Sequence, residues 1–174
     1  MSERVRELRI ENQKLKNQVE QLENKILSLV GNIEIEVSQK GLLNEDILTL
    51  FENTENQLNI LTSYLDKFYI NELRRLSQKD INIMVIVHER SLIPKEYKTF
   101  YDELKSMSNI QIVSNPNINC LIVFNDKKGI YSAGALDKNM LDKSILIETK
   151  INEATKLHKI KQMYNLFLPS FMRK

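Results

Sequence analysis

The chain has 174 residues and a mass of 20.4 kDa, the length of one domain or of a small domain plus an extension. Its 42% hydrophobic and 28% charged residues exclude wholesale disorder, and 4 Gly with 3 Pro exclude collagenous, low-complexity and flexible-linker classes. The 25 Lys+Arg against 23 Asp+Glu leave a charge of +2, too little to make nucleic acid or an acidic membrane the default partner. The lone Cys120 excludes an internal disulfide and a cysteine-rich zinc site. No apolar run nears the roughly 20 residues that span a bilayer, and Met1-Ser2-Glu3-Arg4 leads into charged helix instead of a signal peptide's apolar core. These features predict a soluble, cytoplasmic protein with no membrane partner.

The first third carries a heptad pattern. With Val5 at position a, Leu8, Leu15, Leu22 and Leu29 fall at every d, while Val5, Val19, Ile26 and Ile33 fill a, with Asn12 the exception. β-Branched residues at a with leucine at d favour parallel two-stranded coils, and one buried Asn at a sets register and oligomer state at a cost in stability. Glu11 at g faces Lys16 at the next e of a partner chain, whereas Arg4 facing Arg9 is mildly repulsive. The competing reading, an amphipathic helix packed on its own domain, normally shows a wider apolar face than this seam. A basic zipper gripping DNA would need a basic region ahead of the seam, where Glu3, Glu7 and Glu11 interrupt Arg4, Arg6 and Arg9. The expected organisation is a leucine-zipper-like coiled coil over 1–33, a connector over 34–43 and an α/β domain over 44–174, assembled as a homodimer.

Past Gly31-Asn32, Ile33, Ile35 and Val37 alternate with polar residues as in a short strand, closed by a Lys40-Gly41 turn; a helix continued to Ser38 is the competing reading. Asn44-Glu45-Asp46 is read as the cap of a short helix with Ile47, Leu48, Leu50 and Phe51. A strand is predicted over Leu58–Leu65, then a helix from Asp66 through Phe68, Leu73 and Leu76 with Arg74 and Arg75 on its wet face. Ile81–Val87 is the best strand, continuous enough to lie inside a parallel sheet. Pro94 suits the first turn of a helix running to Met107. Strands follow at 110–113 and 120–124 around the Asn115-Pro116-Asn117 turn, and Lys127-Lys128-Gly129 turns into Ile130-Tyr131-Ser132. A strand at 144–147 and an amphipathic helix from Ile151 to Phe167 complete a three-layer α/β domain with a mixed sheet. The apolar end, Leu166 to Met172, is expected to pack on the domain or on a dimer mate.

Chemistry is sparse. Glycines at 31, 41, 129 and 134 build no phosphate loop, two histidines and one cysteine make no metal constellation, and no serine sits in a nucleophile elbow. No cofactor and no metal are expected. His88-Glu89-Arg90 follows the best strand, at the end where α/β sheets bind ligands, against the reading of a solvated loop with a Glu–Arg ion pair. His158, between Lys156 and Lys159, is read as a surface residue. A nucleic-acid surface would draw on Arg74, Arg75, Lys127, Lys128, Lys156, Lys159, Lys161, Arg173 and Lys174, against the reading of solvated helix faces.

From about Leu42 onward the order of elements resembles one half of the phospholipase D superfamily, with Tyr64-Leu65-Asp66 through Leu73 and the Ile81–Val87 strand matching its opening strand-helix-strand. The superfamily's signature is His-x-Lys, four residues, Asp, then a glycine-serine-x-asparagine stretch. Aligned on Asp126, Asn119 stands at the histidine position and Leu121 at the lysine position; Ser132 takes the serine position, with Tyr131 before it and Gly134 where asparagine is expected. The resemblance implies a phospholipase D-like fold whose phosphodiester chemistry is lost, since an amide and an alkyl side chain replace the nucleophile and the phosphate holder. It is most similar to inactive members, including the effector-binding halves of archaeal sugar-sensing regulators of the TrmB type, and so implies a prokaryotic, archaeal regulatory role. Single-signature members pair about a twofold axis, the symmetry a parallel zipper imposes. The function expected is a non-catalytic dimeric regulator or adaptor (a pseudoenzyme) that binds a ligand, protein or nucleic-acid partner. Its candidate cleft is His88, Glu89, Arg90, Asn119, Asp126 and Ser132. The alternative is a phosphodiesterase or nuclease with a nonstandard site made from His88, Glu89 and Asp126.

Overall fold

Leucine, glutamate, lysine and glutamine dominate the first segment and leave no proline or glycine before position 31, which is what a long uninterrupted helix needs. The computed structural model describes residues 3–30 and 33–173, and the chain divides into two units, 1–32 and 33–174. In the first unit α1 spans Glu3–Val30. Its seam residues Val5, Leu8, Leu15, Val19, Leu22 and Ile26 are all exposed in the single chain, as Asn12 is. The Leu29 side chain lies outside the described residues. Among the described residues no helix is long and apolar enough to cross a membrane.

The second unit is built on a seven-stranded mixed sheet. In chain order it comprises β1 (Ile33–Ser38), α2 (Leu42–Glu52), β2 (Gln57–Thr62), α3 (Lys67–Leu76), β3 (Asn82–Val87) and α4 (Lys98–Lys105). These are followed by β4 (Ile110–Ser114), β5 (Leu121–Phe124), β6 (Gly129–Ser132), α5 (Lys138–Lys143), β7 (Leu146–Ile151) and α6 (Ala154–Leu166). The sheet order is β1-β7-β6-β5-β2-β3-β4. The β2–β3 and β3–β4 pairs are parallel, joined through α3 and α4, and every other pair is antiparallel.

Alternation along the strands sorts the core into two layers. Leu58, Ile60, Ile83, Val85, Val87, Leu121 and Val123 point to one face, where Leu43, Ile47 and Phe51 of α2, Tyr69, Ile70 and Leu73 of α3, Leu104 of α4 and Leu141 of α5 cover them. Leu61, Ile86, Ile122 and Phe124 point to the other face and meet Leu157 and Tyr164 of α6. The Tyr164 hydroxyl stays satisfied in this layer by donating to the carbonyls of Ile60 and Met84.

Several expectations meet the structure with differences. Ile33–Ser38 is a strand and not a continued helix, because each residue pairs with β7 from Ile33↔Ile151 to Ser38↔Leu146. Residues 34–43, read as a connector, therefore carry an edge strand of the sheet and the start of α2. That helix begins at Leu42, two residues ahead of the expected cap. Lys40 (φ 55°) and Gly41 (φ 84°) turn the chain through left-handed conformations, and the Ser38 hydroxyl accepts from the Leu43 amide at 2.7 Å. Asn44 is instead buried inside the helix, accepting from the Tyr69 hydroxyl at 2.6 Å. A Cβ at Gly41 would stand 2.9 Å from Asp142 Oδ1, so both conformation and space favour glycine there.

The helix expected from Pro94 to Met107 is a 3-10 turn, Lys95–Tyr97, followed by α4. The strand expected at 144–147 runs on to Ile151, and α6 starts at Ala154 with Glu153 as its cap. The six-residue α5 has no counterpart in the sequence pattern. Asp137 caps it, accepting from Met140 N at 2.9 Å. Asp66 does double duty: Oδ1 caps α3 through Tyr69 N (2.9 Å), and Oδ2 accepts from Lys138 N (2.8 Å), tying α5 to α3. Asp66→Ala removes both bonds and leaves two amides without an acceptor, so a loss of about 2 kcal/mol is expected, read from the urea midpoint at constant m value.

Candidate functional site

Three parallel strands end together in β2, β3 and β4, and at their carboxyl ends the loops 63–66, 88–94 and 115–120 gather with the segment 133–137 that follows β6. His88 sits here directly after β3, half-buried, its amide donating to Ser63 O (3.4 Å) and its Nδ1 3.2 Å from the carbonyl oxygen of Asn115. Glu89 is exposed. Arg90 is exposed too, and forms a two-pronged bond to Asp102, both contacts at 2.8 Å; that partner is on α4 and is not Glu89. Each member of the pair reinforces the charge of the other: the guanidinium is pushed up by its bond to Asp102, and the carboxyl is held below its ordinary value by that same bond.

Asn119 is exposed in the loop entering β5. Leu121, two residues on, is 0% exposed and belongs to the core beneath α2–α5. Ser132 pairs with it across the β5–β6 ladder and is also buried, its hydroxyl donating to Ile147 O at 2.8 Å. Asp126 lies at the far end of the sheet. The β2–β5 register pairs Phe124 with Asn59 near the start of β2, whereas His88 follows Val87, which pairs with Thr62 at the end of β2. The carboxylate of Asp126 stands 3.7 Å from Lys161 Nζ of α6. The structure thus brings His88, Glu89, Arg90, Asn119 and the buried Ser132 to one end of the sheet, and separates Asp126 from them.

Residues that sequence reading passed over hold this end together. Thr62 Oγ1 donates to Tyr64 O and accepts from Leu136 N. The Tyr64 and Tyr97 rings stack with centroids 4.3 Å apart, and the Tyr97 hydroxyl donates to Asp137 Oδ2. That bond, with burial and the Asp137 charge added, pushes the Tyr97 phenol above its ordinary value, and burial does the same to Tyr64. The one sequence signal for this network is an aspartate ahead of each short helix, Asp66 and Asp137.

A second polar cluster lies between α2, β1 and β7. Lys150 Nζ is 2.9 Å from Asp46 Oδ2 and 3.0 Å from Glu36 Oε2. Burial pulls this ammonium down, but its bonds to Asp46 and Glu36 outweigh that and raise it. Glu148 is 0% exposed, and neither of its carboxylate oxygens has a hydrogen-bond donor. Burial first, then the Asp46 charge, pushes its carboxyl up to about 7 against the opposing pull of Lys150. An acid raised by folding contributes stability that is fully present below its ordinary value of 4.5 and is lost as pH climbs through about 7. Lys150 and Asp46 keep the cluster partly in water, so the full shift is not realised as stability. Glu148→Gln is expected to be more stable than the parent by about 1–2 kcal/mol at pH 8, with the gap closing near pH 5. Urea midpoints at the two pH values check this, and a gap independent of pH would contradict it.

Of the basic residues considered for nucleic acid, Arg74 pairs with Glu103 (3.0 Å), Arg75 with Glu72 (2.7 Å) and Lys127 with Glu55 (2.8 Å). Lys128, Lys156, Lys159 and His158 are exposed, Arg173 donates to Leu168 O, and Lys174 lies outside the described residues. Among the described residues no three His, Cys, Asp or Glu gather as metal ligands.

No protein-family model matches the sequence, and no curated protein matches it significantly. Solved structures do match. NucT from Helicobacter pylori superposes with a TM-score of 0.64 at 14% identity over 78% of this chain and 94% of its own. A phospholipase D family member, Nuc from Salmonella typhimurium, gives 0.66 at 10% identity over 78% and 93%. TrmBL2, an archaeal chromatin protein with a novel mode of DNA binding, gives 0.57 at 12% identity over 95% of this chain and 63% of its own. The mixed seven-stranded sheet and its covering helices have the phospholipase D-like fold.

Proposed function

We propose that this chain is a non-catalytic, cytoplasmic regulator or adaptor of phospholipase D-like fold, paired through α1 as a parallel coiled coil and binding a partner instead of cleaving a phosphodiester. One observation carries the reading: Leu121, at the position where the family's signature has its phosphate-holding lysine, is wholly buried in the core. A residue sealed beneath the α2–α5 layer has no access to a substrate, and Asn119 beside it offers an amide where a nucleophile is needed. Ser132 spends its hydroxyl on Ile147 O, and His88 turns Nδ1 to a backbone carbonyl. The exposed a and d residues of α1 support pairing, because a two-stranded coil buries such a seam. The partner proposed is a nucleic acid, in keeping with the DNA binding of the chromatin protein TrmBL2, and the role proposed is transcription regulation.

The test is an assay of the purified full chain on single- and double-stranded DNA and on bis(p-nitrophenyl) phosphate, alongside native mass spectrometry at low salt. The expected result is no hydrolysis, with a mass of two chains plus bound nucleic acid. Hydrolysis that disappears in His88→Ala would establish the nuclease instead.

A further inference from the structure

The sheet is covered unevenly. On the face that α6 packs against, the α6 layer buries residues of β5, β2, β3 and β4 and the Ile151 end of β7, while the outer strands present Ile33, Ile35 and Val37 of β1, Ile147 of β7, Ile145 just ahead of it, and Tyr131 of β6. Register makes these one patch. Val37 lies opposite Ile147, and Ile35, Thr149 and Tyr131 form a row across three strands. Ile35 is 72% exposed, Ile145 73% and Ile147 65%. Alternation sends the charged residues of the same strands, Glu34, Glu36, Glu148 and Lys150, to the opposite face.

We infer that this bare half-sheet is a second interface of the homodimer, packing face to face on the same surface of a second copy. The inference rests on the dimer reading above. Two features choose the occupant. With no side chain charged at neutral pH, the patch meets its own copy without like-charge repulsion, and it offers no cation to a phosphate backbone. From these exposures its area is on the order of 600 Å², approaching the roughly 800 Å² per partner of a stable interface and at the upper limit for patches on monomers.

Sedimentation equilibrium of the full chain decides it, with far-UV circular dichroism as the control for folding. Ile35→Glu with Ile147→Glu replaces residues already in water, and is expected to weaken the dimer by roughly a hundred-fold or more while the spectrum of the α/β unit persists. Ile35→Thr with Ile147→Thr is expected to act in the same direction to a smaller degree. Leu15→Lys with Leu22→Lys separates the two readings, with residual association expected that vanishes when the Glu pair is added. A dimer constant unchanged by the Glu and Thr pairs overturns this inference and leaves the coiled coil standing, with the face assigned to another occupant. Loss of the dimer in the Glu pair with no effect of the Lys pair overturns the coiled coil and keeps this interface. A parent chain that stays monomeric at 100 µM, a concentration on the order of those at which weak dimers form, overturns both.

Discussion

Leu121→Lys is expected to destabilise the α/β unit by about 4 kcal/mol and lower Tm by about 10–15 °C, without any phosphodiesterase activity appearing. The substitution places a lysine where the resemblance to the phospholipase D superfamily expects one, so intuition from the motif alone would predict a step toward catalysis. The environment dictates otherwise. Leu121 is enclosed with Leu58, Ile60, Val87 and Val123, and its cross-strand neighbour Ser132 already bonds Ile147 O. The buried carboxylate that this layer offers an ammonium is Glu148, which pairs with Ser132 one strand further on. Thermal melts of parent and variant check the prediction. A Leu121→Lys protein as stable as the parent would mean that the site opens to solvent, and it would weaken the case for a non-catalytic domain.

Leu15→Lys with Leu22→Lys is expected to carry the second large effect. In a parallel dimer each d-position leucine buries against its twin, so the pair removes four buried side chains and places four ammonium groups in the seam. The dimer constant is expected to weaken by about a thousand-fold or more. Far-UV circular dichroism is expected to lose most of the signal of α1, because an unpaired 28-residue helix with exposed leucines has little tertiary packing to hold it. A variant whose helicity and mass match the parent's would show that α1 is held in some other way.

The two variants probe opposite kinds of information. The heptad pattern of α1 is written in consecutive residues, seven at a time, and so it is legible without a fold. Strands are legible for the same reason where burial is on both faces: Ile81–Val87 announces β3 because its residues are nearly all apolar. The short α5 is not legible, since six residues hold only Met140 and Leu141 and give no period to count. Nor is β1's place in the sheet. Its alternation is visible, but its partner lies more than a hundred residues away, and Ile33↔Ile151 is fixed by packing of the whole layer.

The candidate cleft divides along the same line. His88, Glu89, Arg90 and Asn119 reach one end of the sheet because strand ends place them there, which the strand pattern foreshadows. Asp126 belongs to the β5–β6 turn at the other end, a separation that follows from the antiparallel pairing of β5 with β2. The Glu148–Asp46–Lys150 cluster joins β7 to α2, and its raised acid arises only because folding buries a carboxyl beside another one.

Local matters follow from the order of residues alone: a heptad helix with one polar seam position, and an alternation of strands and helices. Each is set by neighbours within about ten residues, where periodicity and side-chain chemistry act directly. Folding in three dimensions was needed for the order β1-β7-β6-β5-β2-β3-β4, the sealing of Leu121, the orphaned Glu148 and the bare face around Ile35 and Ile147. Burial is a property of contacts between distant segments, and a residue's neighbours in space, unlike its period, are set by the packing of all the layers together.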